Sequence, residues 1–432
     1  MINPWLQPWG GIIRLGYQVR IHGPHTTPTH NDMLFLVSEI RAYRYRFYPT
    51  EEQAHLLRRT FGCVRLTYNQ ILEWRVSQWQ DHAKSVNYNA ASARLTEIKK
   101  IEELSFLNEV SSVPLQQGLR HQQTAFRGFF DKRTGFPKFK SRRGTQTAEF
   151  TRSAFKWDGG THGLTLAKMT EPLDIKWSRM IPKRCEPSTV TVSLDPAGRW
   201  HVSMLVEDPT IRPLPKLDRA IGVDLGLSTL ATISGSDGVV EKISRPRWLD
   251  SEAKKLERDQ RRLAKKCKGS KNRTKAKLKV ARTHAQIADR RRDHLHKLTT
   301  RLIRENQTVI LEDLSVRGMA GSLKLGRSVN DAALGEFRRQ IEYKAQWHGR
   351  QVVLVDRWFP STKRCFDCGF INKVALSDRE WECPRCGTTH DRDVNAARNI
   401  LAAGLAVSAC GENVRPKRDN PANAVLVEAG TP

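Results

Sequence analysis

Nowhere does the chain hold an apolar run long enough to cross a bilayer, since a spanning helix needs roughly 20 consecutive apolar residues. The first residues also lack a continuous apolar segment behind a basic start, so no secretory signal is expected. No internal repeat is evident. Acidic residues are scarce: 45 Asp and Glu face 73 Lys and Arg, a formal charge of +28. So large an excess repels itself unless a polyanion compensates it, which points to nucleic acid. An acidic membrane surface is a poorer match, because nothing apolar would anchor the chain there. A merely soluble basic protein is the bland alternative. At 432 residues the chain can bury two or three cores, so a multidomain cytoplasmic protein is expected.

Cysteine is sparse and falls into two classes. Cys63, Cys185, Cys267 and Cys410 are scattered, as reduced structural cysteines usually are. Cys365, Cys368, Cys383 and Cys386 instead form two CxxC knuckles with fourteen residues between them. Tetrahedral zinc takes four thiolates, and two such turns supply them in pairs. The spacer is slightly shorter than the common zinc pattern. A redox role would need one CxxC rather than two. Four thiolates leave no open position, so this metal is expected to be structural.

Hydropathy patterning divides the rest. Met1 to about Asp32, rich in Gly, Pro, His and Thr, reads as a poorly ordered leader, with Met33 a candidate start. From Ile40 to Tyr48 aromatic and basic residues alternate, the period of a strand with one packed face and one face free for phosphate. Thr50-Glu51-Glu52-Gln53 is a capping box. Leu57, Phe61, Val64, Tyr68 and Ile71 follow at helical spacing, and helical character runs with breaks to about Phe130. A basic, aromatic loop from Phe136 to Arg143 closes this part. Short alternating runs from about Phe150 to Glu207 suit a small β-barrel, and the Pro-rich stretch from Pro209 to Pro215 marks a boundary. Beyond it come strands at Ala220 to Leu225, Leu230 to Ser234 and Val239 to Ile243. Two basic helical stretches fill Leu249 to Arg304, followed by a strand (Val309 to Glu312), a helix (about Asp331 to His348), a strand (Val352 to Val355) and a last helix (about Val394 to Leu405). That element order is the order of an RNase H-like α/β fold.

Three acids stand out on this frame. Asp224 ends an apolar strand, Glu312 ends another, and Asp393 lies where the last helix begins. An acid at a mostly buried strand end is costly unless it is paired or bound to a metal. Brought together, the three would form an oxygen-rich cage for Mg²⁺ or Mn²⁺, in which two ions could serve phosphodiester hydrolysis. Taken singly, each has an ordinary reading as a turn or cap residue, Asp393 as a helix N-cap. Asp313 and Asp391 are neighbours that compete for the same roles. Between Ser251 and Arg304 there are twenty Lys and Arg. Lys265, Lys266, Arg290, Arg291 and Arg292 are the candidate phosphate contacts, set against the usual solvated helical face.

Taken together, these residues resemble a known family. The Asp224 strand, Leu311-Glu312-Asp313-Leu314, the four cysteines and the run from His390 to Ile400 resemble the transposon-encoded TnpB (OrfB) proteins of insertion sequences. Tyr43 to Thr50 and Phe136 to Lys140 extend the resemblance upstream, so that only the leader before Met33 looks foreign to it. The resemblance implies an RNA-guided DNA endonuclease related to type V CRISPR effectors. A RuvC-like domain (216–404) would carry Asp224, Glu312 and Asp393 as its magnesium-binding catalytic acids, with a zinc ribbon at 361–389 and a flexible tail at 405–432. A β-barrel wedge domain (33–50 and 132–208) would hold a helical recognition insertion (51–131). The implied partners are a guide RNA from the transposon end and double-stranded target DNA, with sequence read by base pairing. Cleavage would leave 5′-phosphate and 3′-hydroxyl ends on nucleoid DNA. Two other activities fit the same residues: DNA strand transfer, and RNA-guided binding without cutting.

Overall fold

Alternation builds the first element. In β1 (Glu39–Phe47) Tyr43, Tyr45 and Phe47 are buried, while Arg44 and Arg46 take the opposite face, as period two dictates. The structure is a computed structural model and describes residues 39–226, 229–246, 248–314, 333–375 and 378–409. The leader, Met33 and Cys410 lie outside the described residues. Thr50 caps α1 (Glu51–His82) through the expected box: Gln53 N–H donates to Thr50 Oγ1 at 3.2 Å, and Thr50 N–H to Gln53 Oε1 at 3.1 Å. Helices α2 (Tyr88–Ile98) and α3 (Ser112–Phe130) pack on α1 around Val64, Ile71, Leu95, Leu115 and Leu119. This helical block is inserted between β1 and β2 (Gln146–Thr151).

After a side hairpin, β3 (Phe155–Asp158) with β4 (Gly163–Leu166), the chain adds β5 (Ile175–Lys176), β6 (Pro187–Leu194) and β7 (Trp200–Asp208). The sheet order is β2-β6-β7-β1-β5, antiparallel throughout. Its core joins Phe47, Phe150, Val192 and Met204 to Leu57 and Phe61 of α1. Where a small barrel was expected, the described strands form an open sheet. Its last strand, β5, is two residues long, too short to carry a ladder round to β2.

The second sheet is built from β8 (Ala220–Asp224), β9 (Thr229–Gly235), β10 (Val240–Ser244), β11 (Thr308–Glu312) and β12 (Gln351–Val355). Its order is β10-β9-β8-β11-β12, with β9 antiparallel to both neighbours and β8, β11 and β12 mutually parallel. Between β10 and β11 stand α4 (Trp248–Ala264) and α5 (Lys271–Glu305); α6 (Leu334–His348) links β11 to β12. Helices on both faces explain why β8 and β11 read as continuous apolar runs. Ile221, Val223, Val309 and Leu311 meet Leu302 of α5 and Phe337 and Ile341 of α6. On the other face Ala220 and Ile310 meet Ile400 and Leu401 of the last helix, α7 (Arg392–Ala409).

The Pro-rich stretch is docked. Leu214 N–H donates to His348 O at 3.0 Å, and Arg350 donates to Pro215 O at 2.7 Å and Ile303 O at 3.1 Å. Among the described residues no helix is long and apolar enough to cross a membrane.

Contact between α7 and β8 is backbone on backbone. A β-carbon on Gly222 would run into the backbone of Ala397 and Leu401, 2.8 Å from Leu401 Cα. Gly222→Ala is therefore expected to lift α7 and cost about 1–3 kcal/mol, read as a lowered denaturation midpoint. An unchanged midpoint would show that the helix is not seated there.

Candidate active site

Parallel pairing brings the first two acids together. Leu311 stands opposite Val223, so Glu312 and Asp224 end adjacent strands at the same edge of the sheet. Asp393 arrives in the first turn of α7. Burial raises the Asp224 carboxyl to about 7, and the charges of Asp393 and Glu312 add to it. Burial likewise lifts Glu312 to about 7, with the adjoining charge of Asp313 contributing. Neither Asp224 nor Glu312 forms an ion pair among the described residues. Asp393 is flanked by Arg392 at 3.2 Å and Arg379 at 3.7 Å.

The competing acids are accounted for differently. Asp313 is bonded by Arg338 and, at 2.6 Å, by Arg357, and the Arg338 hydrogen bond leads in holding its carboxyl below the usual range. Burial would raise Asp391, yet the 2.5 Å bond and charge of Lys242, together with the backbone N–H groups that open α7, hold it low. Asp391 also accepts from Val394 N–H at 3.0 Å. The helix cap considered for Asp393 thus falls to Asp391, and the charge of Asp393 acts on Asp224. Two acids kept protonation-prone by burial and by neighbouring carboxylates suit a hard divalent cation. Among the described residues, the oxygens of Asp224, Glu312 and Asp393 do not all lie within 4.8 Å of one another, as the cysteine sulfurs do.

The four cysteines converge as expected. Cys365 and Cys386 sulfurs are 3.7 Å apart, and Cys368 and Cys383 3.5 Å. A tetrahedron with bonds of about 2.3 Å has edges of about 3.8 Å, so the cluster fits zinc. His390, buried, places Nε2 3.0 Å from Cys365 Sγ, the kind of outer contact that orients a ligand. The sequence reading did not single out His390. It also missed two asparagines of α7. Asn395 donates to Arg364 O at 2.8 Å and accepts from Phe366 N–H at 3.0 Å, while Asn399 donates to Ser361 O at 2.9 Å. They pin the first knuckle to the helix that carries Asp393. Their spacing of four residues, in Asn395-Ala396-Ala397-Arg398-Asn399, was the available signal.

Basic candidates disperse. Lys265 and Lys266 are exposed at the tip of the α4–α5 hairpin. Arg290 is committed to the hairpin itself, bonded to Glu252 at 2.9 Å with its guanidinium over Trp248. Arg291 is half-buried, and Arg292 is exposed with Asp289 3.9 Å away. Burial lowers Arg44 of β1, and the charges of Arg292 and Arg199 act in the same direction. Cations of β1, the turn before β7, and α5 thus share one region, where Asp195 and Asp289 offset part of their charge.

Residues 201–323 match the OrfB_IS605 family, described as "Probable transposase", and residues 335–400 match a "Cas12f1-like, TNB domain". Residues 39–84 match a family described as "Helix-turn-helix domain", although a strand and one uninterrupted helix occupy most of that span. A "Putative RNA-guided DNA endonuclease" of Streptomyces pristinaespiralis is 56% identical over 88% of this chain and 93% of its own. The "Putative RNA-guided DNA endonuclease InsQ" of Escherichia coli is 34% identical over 91% and 100%. Among solved structures, a Cas12f1–sgRNA–target DNA complex matches with a TM-score of 0.52 at 15% identity, over 82% of this chain and 83% of that one, a likeness of fold.

Two outcomes follow for the metals. An acid raised on folding favours the folded state fully below its unfolded pKa of about 4, and that contribution is lost as pH rises through 7. Without divalent cation, Asp224→Asn should therefore gain about 1–3 kcal/mol over the native chain at pH 8 and much less at pH 5; equal differences at both pH values would contradict the burial of this charge. Elemental analysis should find one zinc per chain, reduced in Cys383→Ser, with α7 losing hydrogen-exchange protection at its first turns.

Proposed function

The chain belongs to the OrfB/TnpB family of insertion-sequence proteins, and on that footing we propose that it is an RNA-guided DNA endonuclease whose Asp224, Glu312 and Asp393 form the cleavage centre. One observation carries this reading: Asp224 and Glu312 lie unpaired at one sheet edge, while Asp313 and Asp391 beside them are neutralised by Arg338, Arg357 and Lys242. Cations are plentiful in this chain, so leaving these two acids bare reserves them for a ligand.

The second sheet with α5, α6 and α7 reads as a RuvC-like domain, and the antiparallel sheet with its helical insertion as the wedge and recognition parts. Asp224 and Glu312, on neighbouring parallel strands, would hold Mg²⁺ or Mn²⁺ from the sheet, and Asp393 would complete the set from α7. Divalent ions bound there would activate water and stabilise the departing oxygen, giving 5′-phosphate and 3′-hydroxyl ends. The chain's own part is rigidity. Strand pairing fixes Glu312 against Asp224, Asp391 caps the helix, and the asparagine clamps set α7 against the zinc ribbon. Arg379 and Arg392, beside Asp393, would meet the phosphate backbone and offset its charge. The exposed tip of the α4–α5 hairpin and the cations around Arg44 and Arg292 would hold guide RNA and heteroduplex through their backbones, leaving sequence to base pairing. The site of action would be nucleoid DNA in the cytoplasm.

Purification from the native locus, sequencing of co-purified RNA and cleavage of DNA matched to it test the proposal. A defined RNA and guide-matched, Mg²⁺-dependent cutting are expected, with Asp224→Ala reducing cutting on the order of a thousandfold or more. Bound RNA without cutting would make the protein a guided repressor. Joining of 3′-hydroxyl transposon ends without RNA would make it a strand transferase.

A further inference from the structure

Trp358 is the most solvent-exposed large apolar side chain among the described residues, at 84%. A mobile surface residue would need no account, but Trp358 sits in a segment fixed at both ends. Immediately before it, β12 ends beside β11 with Val355 opposite Glu312. Asp313 N–H donates to Val355 O at 2.9 Å, and Arg357 bonds Asp313 at 2.6 Å. The turn itself is closed: Trp358 N–H donates to Asp356 Oδ1 at 2.8 Å and Phe359 N–H to Asp356 O at 3.0 Å. Phe359, the next residue, packs into the core shared by Ile310, Ile400 and Leu401. Two residues further on, Ser361 is buried and its carbonyl accepts from Asn399 of α7.

Trp358 is thereby held in register with Glu312 through β12 and with Asp393 through α7. Phe359 turns inward and the indole is left in water, at the carboxyl edge of the parallel strands, where open α/β sheets bind their ligands. Burying an indole would favour folding, so a rigid turn that withholds it is explained by an occupant. A cation near the same edge, the exposed Arg379, 3.7 Å from Asp393, suits a backbone that carries phosphates. The flat face an indole offers is that of a base, and base–aromatic stacking is tolerant of sequence, as a guided nuclease requires.

We infer that Trp358 is a positioning residue that stacks on a base of the single DNA strand entering the Asp224–Glu312–Asp393 site and so sets the scissile phosphate over the acids. This rests on the nuclease reading, and the test separates the two. In wild-type, Trp358→Phe, Trp358→Leu and Trp358→Ala chains carrying their co-purified RNA, single-turnover cutting of matched DNA should fall roughly ten- to hundredfold in the Ala and Leu variants. Trp358→Phe should retain most of the rate. RNA binding and the denaturation midpoint should not change. The second measurement does not need cutting: in an Asp224→Asn background, 2-aminopurine placed at successive positions along the displaced strand should be quenched at one position, and the quench should vanish in Trp358→Leu. Equal fluorescence with and without the indole, or equal rates in Ala, Leu and Phe variants, would overturn the proposal. A native chain that cuts nothing while the quench persists would overturn the nuclease reading and leave the stacking role standing.

Discussion

A helix can lie with its backbone on a strand only where the strand offers no side chain, and Gly222 provides that place beneath Ala397 and Leu401. At the far end of the same contact, Gly404 sits against the side chain of Ile310. These two glycines let α7 come down on the sheet, and the rest follows from that approach. Asp393 reaches the strand ends. Asn395 and Asn399 reach the knuckle of Cys365 and Cys368. The zinc ribbon, inserted between β12 and α7, is tied back to the frame it interrupts.

Electrostatics sorts the residues around this frame. An excess of +28 would be expected to neutralise every carboxylate within reach. Asp313, Asp391 and Asp259 follow that rule, with Asp259 buried in the α4–α5 hairpin beside Lys279 and Thr283. Asp224 and Glu312 depart from it. They are shielded by the apolar residues of their own strands, so that burial more than repulsion lifts their carboxyls. Around Arg44 the arginines share two aspartates, Asp195 and Asp289, which pair with Arg199.

Much of this was legible in the chain. The alternation of Tyr43, Tyr45 and Phe47 fixed which face of β1 would be buried, and the strand and helix order beyond Pro215 anticipated the second sheet within a few residues. The acids stood out because a charge at the end of an apolar strand is expensive, and the cysteines because their spacing has few other uses. What escaped depended on contacts distant in sequence. Asp391 and Asp393 look alike as helix caps in the sequence, and the partner that neutralises Asp391, Lys242, lies 149 residues away. Arg290 looked like a phosphate ligand in a basic run, yet Glu252 and Trp248 on the neighbouring helix claim it. The short β5, on which closure of the first sheet depends, gave no pattern strong enough to predict an open edge.

The insertion of three helices between β1 and β2 also bears on how the chain comes into being. β1 emerges early, but its ladder is with β7, Arg46 opposite His201 and Ile40 opposite Glu207. Synthesis proceeds at about 5–20 residues per second, so the strand waits on the order of ten to thirty seconds for its partner. Throughout that interval it is an unpaired edge, the form most prone to wrong pairing with another nascent chain. Arg41, Arg44 and Arg46, spaced through its aromatic residues, act as gatekeepers during the wait, so that the arginines of β1 would protect the nascent chain before any nucleic acid is bound.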